Sequence, residues 1–202
     1  MHTRLVTDGI INYYEIVDDS IDSVLDIFVR VNSGGTVLSK SDLLFSTIVS
    51  YWDKARDEID KLLSEINKKG EGFKFCNDFI MRTCLYLLDM SVALKVETFK
   101  KDSILKIKEN WDSIRKAIND TVDLLNEFGF NSENMISYVA VSPMVYYRYK
   151  GGNFDSSSKA ELRKYIVIAQ VRQIFGAASN SALTSIREAL KAAPSYEKSK
   201  WD

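Results

Sequence analysis

The sequence predicts a mainly α fold, a multi-helix bundle with at most one short N-terminal strand, and three observations predict it. Turn formers are scarce, with 9 Gly and 2 Pro in 202 residues, whereas sandwiches and propellers need them about every 8–12 positions. Apolar residues recur at steps of three and four along most of the chain, the period of one helix face. Only Ile10–Val17, IINYYEIV, is a β-branched and aromatic run that reads as extended.

The elements follow in order. Asp18, Asp19 and Ser20 offer N-cap chemistry before Ile21, Val24, Leu25 and Phe28, a short helix to about Arg30. Asn32-Ser33-Gly34-Gly35-Thr36 breaks it. Ser39 and Asp42 form a capping-box pattern for the next helix, whose stripe is Leu43, Leu44, Thr47, Ile48 and Tyr51. Ile59, Leu62, Leu63 and Ile66 mark a further helix ending at Lys68-Lys69-Gly70. Phe75–Met90 is apolar nearly all round and predicts a buried central helix. From Asp102, the positions Ile104, Ile107, Trp111, Ile114, Ile118, Val122, Leu125 and Phe128 predict one helix of about 26 residues, on the order of 39 Å long. Gly129 ends it. Asn131 and Ser132 open another, carrying Met135, Ile136, Val139, Val145 and Tyr146, with Pro143 bending or splitting it. After the turn at Gly151-Gly152-Asn153, Ser158 and Glu161 read as a second capping box. The helix from Lys159 buries Tyr165, Ile166, Val167, Ile168, Val171, Ile174 and Phe175. A last helix carries Leu183, Ile186 and Leu190 before Ala193-Pro194.

Composition excludes several classes. Hydrophobic residues make up 46% and charged residues 27%, enough apolar side chain for a core and too much for wholesale disorder. With 27 Lys+Arg against 28 Asp+Glu, no basic surface spans the whole chain. A mild split leaves residues 1–150 at -4 and residues 151–202 at +3, either a weak phosphate-facing patch or ordinary variation on a solvated face. On one helix Cys76 and Cys84 would lie about 12 Å apart, too far to bond. Both are expected as buried free thiols in a reducing compartment. His2 is the sole histidine, which excludes the usual zinc sets and a His-Asn-His nuclease. No apolar run approaches the roughly 18 residues of a membrane span, and no signal-peptide pattern opens the chain, so a soluble cytoplasmic protein without a membrane partner is expected.

The chemistry-bearing stretch is Phe28–Ser39. A helix end, a Gly-Gly turn and a helix start fall within a dozen residues. Backbone N–H groups there could cradle an anion beside the positive end of the helix. Arg30 could hold a phosphate bidentately. Asn32, Ser33, Gly34, Gly35 and Thr36 complete the candidate phosphate site, where Asn32 and Thr36 could bond phosphate oxygens or a magnesium-bound water. The other reading is a helix-turn-helix corner whose glycines serve backbone geometry alone. Elsewhere, Arg163, Lys164 and Arg172 could line a nucleic-acid phosphate groove or be merely solvated. Tyr146-Tyr147-Arg148-Tyr149-Lys150 could stack on bases or pack into the core. Glu58, Asp60 and Glu65 are spaced too unevenly to share one face around a metal. Trp52 and Trp111 fit apolar stripes.

FVRVNSGGTVLSKSDL resembles the stretch Phe-x-Arg-x-Asn-x-x-Gly-x-x-Leu-Ser-x-x-(Asp/Glu)-Leu of the GmrSD-type restriction endonuclease N-terminal family, also known as domain of unknown function 262. The matching residues are Phe28, Arg30, Asn32, Gly35, Leu38, Ser39, Asp42 and Leu43. Phe175–Leu183, FGAASNSAL, is similar to the family's turn before a closing helix. The resemblance implies a ParB/sulfiredoxin-like nucleotide-binding unit with a helical extension, divided here as residues 1–70 and 71–202. It also implies nucleoside triphosphate with magnesium, phosphate roles for Arg30 and Asn32, DNA, and a nuclease domain or subunit as partner in a restriction or phage-defence system. The family's Asp-Gly-Gln-Gln-Arg run is missing, since Asp8-Gly9-Ile10-Ile11-Asn12 shares only its first two letters. The chain is therefore expected to correspond to the C-terminal part of such a protein and not to hydrolyse nucleotide alone. The alternative is a non-enzymatic helical module that binds DNA or a partner protein.

Overall fold

The computed structural model describes residues 40–95, 98–176 and 179–192. All of these but Lys40 belong to one unit, Ser41–Asp202. The expected strand over 10–17, the helix over 21–30, the Gly-Gly turn and the Ala193-Pro194 stop lie outside the described residues. Among the described residues are eight α-helices and no strand, as the periodicity predicts. They are α1 Lys40–Tyr51, α2 Ala55–Asn67, α3 Asn77–Leu87, α4 Lys101–Glu109, α5 Trp111–Glu127, α6 Ser142–Tyr149, α7 Ser156–Val171 and α8 Ser179–Ala192, with a 3₁₀ turn at Tyr138–Val141 before α6.

One apolar core runs from Leu44 and Phe45 on α1 to Leu183 and Leu190 on α8. Short α6 lies at its centre, with Ser142–Tyr147 all buried, packed against α3, α5 and α8. Each fully buried large side chain there stabilises by about 1.5–3 kcal/mol. The α3–α6 contact also buries two hydroxyls, Thr83 Oγ1 and Ser142 Oγ, 2.8 Å apart and satisfied by one another. On α2 the predicted stripe is in place, with Ile59, Leu62 and Ile66 all buried. On α1 Leu44 and Ile48 are buried as predicted, but Tyr51 is 41% exposed, and Trp52, just past the helix and also expected in an apolar stripe, is buried.

Two expected helices are broken. The long one divides at Asn110, whose backbone sits at φ -99°, ψ 5°. Its N–H is shared between the Lys106 and Ile107 carbonyls, both at 3.2 Å. Its Nδ2 donates to Lys106 O at 2.8 Å, and its Oδ1 accepts from the Tyr149 hydroxyl at 3.2 Å. Asparagine competes for backbone groups in this way and ends α4 while its own carbonyl starts α5. The apolar steps of three and four run straight through the break, so the pattern does not reveal it. Gly129, at φ +84°, ends α5 where predicted.

Residues 131–137 are irregular, not helical. Asn131 and Asn134 hold each other in an Asx-type turn: Asn131 Oδ1 accepts the Glu133 N–H at 2.9 Å, and Asn134 Oδ1 accepts the Asn131 N–H at 2.9 Å. Buried Gln170 of α7 supplies the partners a helix would have given. Its Oε1 accepts from the amides of Ile136 (3.0 Å) and Ser137 (2.7 Å), and its Nε2 donates to Ser137 O at 2.9 Å. Pro143 then lies in the first turn of α6, where its missing N–H costs nothing. α7 begins before the expected capping box. Asp155 is its N-cap, accepting the Ser158 N–H at 2.8 Å, because a carboxylate satisfies the free amides and the helix dipole together.

Candidate functional site

The predicted phosphate residues Arg30, Asn32, Ser33, Gly34, Gly35 and Thr36 lie outside the described residues. The predicted nucleic-acid cations sit on one helix, Arg163 and Lys164 within α7 and Arg172 as its C-cap, all exposed. The Arg163 guanidinium sits 6.0 Å from the centre of the Phe128 ring. Of the apolar positions assigned to the core of this helix, Tyr165, Ile166 and Phe175 are buried. The other four are not: Val167 is 43%, Ile168 36%, Val171 74% and Ile174 40% exposed. The structure thus brings together, on one outward face, the cations expected there and apolar side chains expected inside.

A groove of about 490 Å³ opens beside α5, lined by Asp120, Asp123, Glu127, Arg148, Phe154 and Lys159 among others. The three acids are spaced i, i+3, i+7, one face of a helix, a spacing visible in the sequence. Each already faces a cation: Arg148 Nε lies 2.8 Å from Asp120, Lys159 Nζ 2.6 Å from Glu127 and Lys69 Nζ 2.8 Å from Asp123. A groove whose charges are cancelled in pairs has little pull on an external ion. Among the described residues no group of three or more His, Cys, Asp or Glu could hold a metal. Glu58 accepts instead from Trp111 Nε1 at 3.1 Å, and Glu65 pairs with Arg115 at 3.2 Å. Tyr146 and Tyr147 are buried and Tyr149 packs half-buried against the core, while Arg148 and Lys150 pair with Asp120 and Asp89.

The ends of α3, α6 and α8 meet at Asp89, which has a left-handed backbone at φ +60°. Its carboxylate accepts from the Tyr146 hydroxyl at 3.0 Å and Lys150 Nζ at 3.0 Å, and lies 3.1 Å from Lys191 Nζ. Burial works against the charged carboxylate, but the bonds from Lys150, Lys191 and Tyr146 outweigh it and hold its pKa below the ordinary value. A lowered folded-state pKa gives stability that is present above the unfolded value, about 4, and lost as pH falls through the folded one. Asp89→Asn keeps a residue that tolerates left-handed backbone but removes the charge. It is expected to cost about 1 kcal/mol at neutral pH. Thermal unfolding across pH checks it, and the gap from wild type should close below about pH 4.

Nearby, Arg187 is 7% exposed and donates to Met90 O at 2.7 Å, with its guanidinium over the Tyr86 ring. The Phe175–Leu183 stretch buries both of its apolar ends, Phe175 at 5% and Leu183 at 0% exposed. Between them Asn180 Oδ1 accepts from Arg82, which also donates to Val92 O at 3.1 Å. No described helix is long and apolar enough to cross a membrane. Compared with protein-family models and with curated proteins, the chain matches no family and no curated protein.

Proposed function

We propose that this chain is a helical docking scaffold, the helical part of a nucleotide-binding module of a DNA restriction or phage-defence protein, and that it is not an enzyme by itself. The observation that carries the scaffold role is the outward face of α7, where Val167, Ile168, Val171 and Ile174 stand in water beside Arg163 and Arg172. Clustered exposed apolar side chains rimmed by polar residues are the pattern of an interaction surface. The self-neutralised groove on α5 supports the same reading, since its charges are engaged in holding helices together.

The nucleotide role rests on the spacing Phe28-x-Arg30-x-Asn32-x-x-Gly35-x-x-Leu38-Ser39. In this reading Arg30 and the Ser33–Thr36 amides contact the phosphates of a nucleoside triphosphate, and Asn32 reaches a phosphate oxygen or its magnesium. A nuclease domain or subunit acting on DNA would be the partner. Calorimetric titration with GTP, ATP and CTP plus magnesium tests it, with Arg30→Ala as the control. Binding by the wild type and at least about tenfold weaker binding by the variant, a loss of about 1.4 kcal/mol, is the expected result. Equal affinities, or no binding of any of the three, overturns the nucleotide role and leaves the scaffold alone.

A further inference from the structure

Two rows of side chains at i, i+4 spacing run along the outside of α7. One is Arg163–Val167–Val171, the other Lys164–Ile168–Arg172, and Ile174 follows just past the helix end. Ile136, 63% exposed, has its amide bound to the Gln170 side chain of the same helix. Arg163 and Arg172 are nine residues apart, about 13 Å along the axis. Nine residues carry α7 through about two and a half turns, so Arg163 and Arg172 stand at opposite edges of the face with Val167, Ile168 and Val171 between them, and with Lys164 and a single acid, Glu161, the face is net cationic.

Charge decides among the occupants. A second copy, docked parallel or antiparallel, would set two net-cationic faces against each other. Like charges brought together across an interface oppose association. Nucleic acid would satisfy the arginines but leave the β-branched centre facing a polar, charged surface, whereas protein–DNA interfaces are more polar and much more positively charged than protein–protein ones. A helix with its own apolar stripe at i, i+4, i+7 and carboxylates flanking that stripe satisfies both halves of the face.

We infer that the outer face of α7 docks an acidic amphipathic helix of a partner protein. The inference rests on the scaffold reading above and adds the chemistry of the partner. The full chain is titrated by fluorescence anisotropy with two labelled synthetic helical peptides about three to four turns long. Both carry the same leucine stripe, one flanked by Glu and the other by Lys. The acidic peptide is expected to bind at least about tenfold more tightly than the basic one. Arg163→Glu with Arg172→Glu should reverse that order. Val171→Asp should abolish binding of the acidic peptide while lowering the unfolding midpoint only slightly, since Val171 is 74% exposed and the new carboxylate merely opposes the helix dipole. Equal binding of both peptides overturns the acidic preference and leaves the docking face standing. Binding of neither overturns the inference and the scaffold reading of α7 together. Self-association removed by Val171→Asp, or a duplex DNA shift removed by the double charge reversal, overturns it in favour of a second copy or of nucleic acid.

Discussion

Trp111→Ala is expected to lower stability by about 3–5 kcal/mol, the range for removing a buried indole. Trp111 is 5% exposed and is the first residue of α5, directly after the break at Asn110. Its ring meets Trp52 edge-on, with centroids 5.1 Å apart and planes at 67°. Its Nε1–H donates to Glu58 Oε2 on α2 at 3.1 Å. One side chain therefore ties the start of α5 to α2 and to the residue that follows α1. Truncation leaves a cavity between three elements that cannot all collapse inward. Trp111→Phe separates the contributions, keeping most of the packing and losing the hydrogen bond, for about 1 kcal/mol. Urea denaturation at constant m-value checks both.

Gly152→Ala adds one methyl group and is expected to cost about 1–3 kcal/mol by overpacking. A Cβ at Gly152 would lie 2.4, 2.5 and 2.6 Å from three ring atoms of Tyr147. The ring has nowhere to move. Tyr147 is 1% exposed, and its hydroxyl bonds both Asn153 O at 3.2 Å and Ser158 Oγ at 3.0 Å. The preceding Gly151, at φ +98°, is held by its own backbone conformation instead, because only glycine adopts it without strain. In a Tyr147→Leu background Gly152→Ala should cost much less, a coupling that a double-mutant cycle reads directly.

The helical class was legible because burial imposes a three- and four-residue period whatever the helix boundaries are. The boundaries were not legible where asparagine decides them. At Asn110 the apolar phase survives the break. At Asn131 the residues that look like an N-cap close a turn on themselves. Helix α7 failed for a different reason. Its apolar positions are too numerous for one face, so periodicity alone could not say that Val167, Ile168 and Val171 stay outside. Arg163 and Arg172, in the same i, i+4 rows, were the available signal. The acidic groove on α5 was visible as Asp120, Asp123 and Glu127, but the ion pairs that cancel it come from Lys69, Arg148 and Lys159, distant in sequence. The Arg30–Thr36 turn was read entirely from sequence.

The two cysteines do not share the burial expected of them. Cys76 stands exposed at the N-cap of α3, and Cys84, two turns along, is fully enclosed, with burial pushing its thiol up to about 12. Thiolate is the reactive form, so a folded molecule should consume one equivalent of thiol reagent quickly and a second only as fast as α3 leaves the core. Cys84 is thereby an internal clock. Its labelling rate under native conditions measures how often the centre of the bundle opens, and Cys76 in the same tube standardises the reagent.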